Sequence, residues 1–402
     1  MTIVDSSAVE DPATQEGQPV GARDSAVGQG SVTRQRSATQ QDGVVRTTGV
    51  GALQLEAGGA LPEVELAYET WGTLDADASN AVLIQHALTG DTHVARGAGD
   101  EPGWWDALVG PGKPVDTDKY FVVAANMLGG CYGSTGPSSL DPGGAPWGSR
   151  FPFVTIRDSV RAEARLADRL GIRRWHAVLG GSMGGARALE WAATYPDRVR
   201  HCVVVAIGGY STAEQIALAQ AQVLAIRQDP HYNGGDYYGG PMPTAGLGLA
   251  RRIAHITYRS EPEFNFRFGR RGQGAENPIE APHDAAERGR YQVESYLDHQ
   301  AEKLVNRFDA NSYITITEAL MSHDVGRGRG GMQRALAVTK AEFFLASVNS
   351  DRLYFPEQSD ELARALPGEV PVHSIDAKIG HDGFLTEIGQ LGGELRRRVF
   401  TL

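Results

Sequence analysis

A serine set among glycines carries the strongest chemical signal in this chain. Gly180-Gly181-Ser182-Met183-Gly184-Gly185 follows an apolar run at 175–179 and opens a helical stretch at 186–195, stopped by Pro196. Gly-x-Ser-x-Gly between a strand and a helix is the nucleophile-elbow pattern. The glycines let the backbone turn without side-chain clashes, so the Ser182 hydroxyl stands exposed above a sheet. The helix N-terminus beside it favours developing negative charge. A Gly-rich turn with an incidental serine would share the pentapeptide. The partners decide between the two.

An elbow serine needs an orienting acid and then a histidine base, in that chain order. Asp351 follows the strand-like run 342–348, and His381 follows the strand-like run 372–375. Both therefore fall in loops at the ends of apolar runs, where catalytic side chains are commonly displayed. Stabilising the oxyanion takes two backbone donors. The amide of Met183, directly after the nucleophile, supplies one. The loop Ala87-Leu88-Thr89-Gly90-Asp91, after the strand-like run 81–86, is placed to supply the other.

Other chemistries fit less well. His86 and His93 stand seven apart with no His-Glu-x-x-His, which argues against a metal site. Gly326-Arg327-Gly328-Arg329-Gly330-Gly331 occurs once, within folded-looking sequence, and reads as a turn rather than an RNA-binding segment. Cys131 has no paired histidine and reads as a packed thiol.

The elements that must position these residues are strands at 81–86, 120–125, 175–179, 202–207, 342–348 and 372–375, alternating with helices at 159–170 and 186–195. Such alternation predicts a mainly parallel α/β sheet. It breaks between 211 and 332, where three helical patterns occur, the first capped by Ser211 or Thr212. On the second, at 246–259, Arg251, His255 and Tyr258 share a face opposite Leu249, Ile253 and Ile256. We expect a core of 46–210 and 333–402, a helical lid of 211–332, and a weakly ordered tail at 1–45, which is rich in Ser, Thr, Gln and Gly.

Composition narrows the class. The 402 residues carry 38 basic against 49 acidic groups, a net charge of −11, which argues against a general nucleic-acid binder. Two cysteines in so long a chain point to a reducing compartment. The first ten residues have neither the basic nor the apolar region of a signal peptide, and no apolar run is long enough to span a membrane. A cytoplasmic protein is expected.

The set of motifs at 85–91, 128–139, 180–185, 307–313, 322–331 and 380–385 resembles the homoserine O-acetyltransferases of methionine biosynthesis, over about residues 46–400. The resemblance implies an α/β-hydrolase fold with a helical lid, usually dimeric, that acylates the hydroxyl of L-homoserine from acyl-CoA, with no bound cofactor. It implies Ser182 as nucleophile, Asp351 as orienting acid, His381 as base, and the amides of Leu88 and Met183 as oxyanion donors. It further implies Arg251 at the homoserine carboxylate and Asp382 at its ammonium, with Arg252 an alternative to Arg251. Acetyl or succinyl donors, serine as acceptor, and an esterase or thioesterase on the same fold remain open at this point.

Overall fold

The computed structural model describes residues 41–279 and 288–401. All but the last five residues of the expected tail lie outside the described residues. The chain runs through β1 (Arg46–Gly49), β2 (Leu53–Gln54), β3 (Ala60–Leu61), β4 (Glu65–Trp71), β5 (Ala81–Gln85), β6 (Val109–Gly110), β7 (Val115–Asp116) and β8 (Phe121–Ala125). It then alternates α1 (Ile156–Arg169), β9 (Trp175–Gly181), α2 (Met183–Thr194) and β10 (Val199–Val205). Among the described residues only helices follow until the next strand: α3 (Ala213–Arg227), α4 (Thr244–Tyr258), α5 (Glu261–Arg267), α6 (Gln292–Val305), α7 (Ala310–Met321) and α8 (Met332–Leu336). The chain closes with β11 (Glu342–Val348), α9 (Pro356–Ala365), β12 (Val372–Ile375), α10 (Gly383–Thr386) and α11 (Ile388–Arg398).

Eight strands form one sheet in the order β1-β4-β8-β5-β9-β10-β11-β12. β1, β4 and β8 pair antiparallel, and every pair from β8 to β12 is parallel. Parallel pairing puts the C-terminal ends of β5, β9, β11 and β12 on one edge, with Gln85 beside Gly180 and Gly181 beside Val205. This is the edge where ligands bind in open α/β sheets. The sheet is buried on both faces, so its strands read as continuous apolar runs. Val178, Cys202 and Val204 enter the core on one side, and Ala177, Leu179, Val203 and Val205 the core on the other.

Local chemistry sets the element ends. α1 begins one turn before the expected start, because Thr155 caps it reciprocally with Asp158. β10 starts at Val199 and stops at Val205, short of the expected 207, since Ala206 turns to φ 51°. The Val205 carbonyl instead accepts from the Ser182 amide at 2.9 Å. Thr212 caps α3 with Gln215, as its residue type allows. Arg327 and Arg329, in the glycine-rich turn before α8, pair with Glu56 and Glu190 at 2.9 and 2.6 Å. That turn is a structural brace.

One buried ion pair ties three of these elements together. Arg187 of α2 donates through Nε to Glu163 of α1 at 3.0 Å. The other Glu163 oxygen accepts from Gln85 at the end of β5 (2.6 Å) and from the Trp191 indole (2.7 Å). Glu163 and Arg187 are 1% and 0% exposed, so removing one partner strands a charge in the core. Glu163→Ala is expected to destabilise the fold by about 3–5 kcal/mol in chemical denaturation. A loss below about 1 kcal/mol would show that the pair is dispensable.

Candidate active site

Ser182 sits between β9 and α2 at φ 55°, ψ −129°, a conformation that costs a non-glycine residue of order 1–3 kcal/mol. It persists because its surroundings leave no alternative. Its amide is held by Val205, its carbonyl accepts from Ala186, and α2 packs so close to β5 that a Cβ on Gly184 would lie 2.1 Å from the Gln85 carbonyl oxygen. Only glycine fits there. Met183 opens α2, so its amide has no intrahelical partner.

Asp351 and His381 are brought together as the sequence predicts. His381 Nδ1–H donates to Asp351 Oδ2 at 2.6 Å, and both side chains are buried. The other Asp351 oxygen accepts from the amides of Leu353 and Tyr354 at 2.8 and 2.9 Å, which fixes its rotamer. His381 Nε2 is buried and has no hydrogen-bond partner. The rings of Tyr258 and Tyr354 flank His381 and also line the cavity that contains Ser182. Burial opposes charging His381, but the charge and hydrogen bond of Asp351 and the charge of Asp382 outweigh it, and its pKa is raised above the ordinary 6.5. A histidine so placed can accept the serine proton and hold the resulting charge.

The loop after β5 carries residues whose roles the sequence reading did not foresee. His86 Nε2 accepts from the Met127 amide at 3.1 Å, so the proton stands on Nδ1, which donates to the Ala87 carbonyl at 2.7 Å. Burial and the nearby Arg187 push the His86 pKa down to about 3, so the ring stays neutral. The Ala87 carbonyl also accepts from Gly90 N at 3.0 Å. In a trans peptide the next N–H points opposite that carbonyl. The Leu88 amide is thereby aimed away from His86, and it has no protein acceptor among the described residues. The sequence signal was present: a buried-strand residue immediately before the loop must satisfy its polar atoms locally.

Arg251 and Arg252 part company. Arg252 turns outward and pairs with Asp298 at 2.7 Å. Arg251 turns inward: Nη1 donates to Thr89 Oγ1 at 3.3 Å, the guanidinium lies 5.8 Å from the Tyr258 ring, and its buried Nε has no partner. α4 buries Leu247, Ala250 and Ala254, but not the apolar side that the sequence marks. Leu249 and Ile256 are 48% and 44% exposed, whereas Arg251, His255 and Tyr258 face the interior. Burial, Arg251 and Arg259 together push His255 down to about 2. Asp382 lies 3.4 Å from Arg259, a partner that the sequence reading missed. Gly380, at φ 95°, lets the His381 loop approach Tyr258 and Ser260 at the end of α4, where a Cβ would sit 2.7 Å from Ser260 N.

Cys131 is half-buried and its thiol is pushed up to about 11 by burial, the signature of a packed thiol. Among the described residues, no group of three or more His, Cys, Asp and Glu side chains could hold a metal, and no helix is long and apolar enough to cross a membrane.

Known proteins share this fold. The family described as "alpha/beta hydrolase fold" matches residues 80–387. A homoserine O-acetyltransferase from Thermobifida fusca (strain YX) is 58% identical over 344 residues, covering 84% of this chain and 89% of that protein. The crystal structure of homoserine O-acetyltransferase from Bacillus anthracis superposes with a TM-score of 0.81 at 28% identity, covering 89% of this chain and 98% of that one. Esterase E22 superposes at 0.80 with 26% identity, covering 88% and 99%. On these matches the chain belongs to the homoserine O-acetyltransferase family, built on the α/β-hydrolase fold.

Proposed function

We propose that this chain transfers an acetyl group from acetyl-CoA to the side-chain hydroxyl of L-homoserine, a step of methionine biosynthesis, through an acetyl-Ser182 intermediate. The observation that carries this reading is the buried, unpartnered Nε2 of His381, whose ring is braced by Asp351 and flanked by two tyrosines that line the Ser182 cavity. In the first half-reaction Nε2 takes the Ser182 proton as Oγ attacks the thioester carbonyl. The amides of Leu88 and Met183 stabilise the oxyanion. The carbonyl re-forms, the C–S bond breaks, and CoA leaves with the proton from His381.

In the second half-reaction homoserine gives its hydroxyl proton to His381 and attacks the acetyl carbon. The proton then returns to Ser182 as the ester leaves. Arg251 takes the acceptor carboxylate and Asp382 its ammonium. The edge of Arg251 formed by Nε and Nη2 is not used by Thr89, and such an edge binds carboxylates two-pronged. Holding both charged ends keeps the acceptor hydroxyl at His381 ahead of water.

Acetyl is favoured over succinyl because the Ser182 cavity, of about 50 Å³, is lined by apolar side chains such as Leu218, Leu320 and Met321 and by neutral polar ones such as Gln215, Gln222 and Thr317, with no Lys or Arg to meet a distal carboxylate. Two unpaired cysteines and metabolite substrates support a cytoplasmic location. A homodimer is supported by the outward apolar face of the lid, where Ile216, Leu224, Leu249 and Ile256 are exposed. A monomeric mass in light scattering would contradict that assembly.

Acetyl-CoA and succinyl-CoA, each offered with homoserine and with serine, test the reading directly. Acetyl-CoA with homoserine should exceed every other combination by at least about tenfold in kcat/KM. Release of acetate at a rate indifferent to homoserine would make the chain an esterase like its structural neighbour.

The pH profile of acyl loading supplies a second check. His381 must be neutral to act as base, and its raised pKa places the acid limb above pH 6.5, with activity lost as pH falls through it. Asp382→Asn removes a charge that raises that pKa, so the limb should move to lower pH. An unmoved or raised midpoint would contradict the assignment of His381.

A further inference from the structure

Thr89 follows Leu88 in the loop after β5 and is touched by two arginines from the lid. Arg251 of α4 donates to its hydroxyl at 3.3 Å. Arg307, between α6 and α7, donates to its carbonyl at 2.9 Å and to the Tyr132 hydroxyl at 2.5 Å. The Ala87 carbonyl, one residue before Leu88, is held from the other side by His86 and Gly90. The Leu88 amide is thus suspended between two anchored carbonyls. One comes from the core and one is shared with the lid.

The contact to Arg251 has a chemical consequence. A guanidinium on a long side chain has many rotamers, and ordering it weakens binding unless something in the free protein already fixes it. Apart from Thr89, the described contact of Arg251 is the Tyr258 ring, which restrains the plane but not rotation within it. A hydrogen bond to Nη1 fixes that rotation. It leaves the opposite edge, Nε with Nη2, unused by Thr89, and Nε is buried without a partner. The buried, unpartnered Nε2 of His255, one turn further along α4, opens on the same inward face.

We propose that Thr89 is a positioning residue shared by the two half-reactions: its hydroxyl orients Arg251 toward the acceptor carboxylate, and its carbonyl, held by Arg307, fixes the loop that presents the Leu88 amide. This deepens the acceptor-site reading above and rests on Arg251 being the carboxylate anchor. The two atoms of Thr89 serve different steps, so the two contacts are separable. Thr89→Val keeps the shape and the carbonyl but removes the hydroxyl. Thr89→Ser keeps both.

Rapid mixing reads the steps apart: CoA release on adding acetyl-CoA reports loading, and reaction of pre-acetylated enzyme with a homoserine series reports transfer. Thr89→Val should raise the half-saturating homoserine concentration about tenfold, the scale of a lost hydrogen bond to a charged group, with loading within twofold of the parent. Thr89→Ser should restore it to within about threefold. Arg307→Ala should slow loading and leave half-saturation by homoserine unchanged. Arg251→Ala and Arg252→Ala test the reading beneath: the first should weaken homoserine more than Thr89→Val does, and the second should not. If Arg251→Ala weakens homoserine while Thr89→Val does not, the orienting role of Thr89 is wrong and the acceptor site stands. Should Arg251→Ala leave homoserine unaffected, the acceptor site and the proposal fall together. Equal losses in Thr89→Val and Thr89→Ser, or equal losses in both steps, would reduce Thr89 to a packing residue and overturn the proposal.

Discussion

Ser182 is held against its own backbone preference, and the rest of the site follows from what holds it. At φ 55° the residue would relax if its neighbours let go. They do not, because β10 takes its amide, α2 begins on its carbonyl, and the Gly184 backbone abuts the end of β5. The same contact that enforces the turn brings the loop after β5 beside the serine. On the proposed reading, the nucleophile and the Leu88 amide are therefore placed by a single packing event, before any substrate arrives. Such preorganisation is what electrostatic stabilisation of a transition state requires.

Beneath that contact lies a second layer of constraint. Glu163 collects Arg187, Gln85 and Trp191 from α2 and β5, locking the helix that follows Ser182 to the strand that leads into the loop of Leu88. A buried ion pair of this kind is weak evidence for stability, since a hydrophobic replacement of the whole set can do as well. Its value here is geometric. Three side chains with one acceptor group between them admit one mutual orientation, and Arg187 also lowers the pKa of His86, keeping that ring neutral where it sets the Ala87 carbonyl. On the proposed reading, core electrostatics reach the reacting oxygen through one peptide plane.

Much of this was legible in the sequence, and the reasons differ by residue. The parallel core declared itself because strands buried on both faces are uninterrupted apolar runs, and the 342–348 and 372–375 strands have the bounds expected of them. Asp351 and His381 were found by their order after Ser182 and by their place at strand ends. The antiparallel edge formed by β1 and β4 was missed because β1 is short and carries Arg46, Thr47 and Thr48, with no apolar run to mark it. Thr89, His86 and Arg259 are not marked for another reason: each contacts a partner distant in sequence, and no local pattern encodes that pairing. The choice between Arg251 and Arg252 could not be made from spacing, because it depends on which side of α4 meets the core. There the helix buries the face of Leu247, Ala250 and Ala254 and leaves Leu249 and Ile256 exposed.

On the proposed mechanism the acyl group passes through Ser182. Enzyme mixed with acetyl-CoA in the absence of any acceptor, quenched and digested, should carry one acetyl group on the peptide containing Ser182, with stoichiometric release of CoA. Ser182→Ala should carry none. An unmodified Ser182 peptide, with no CoA released until homoserine is added, would contradict the claim and require direct transfer between two substrates bound together.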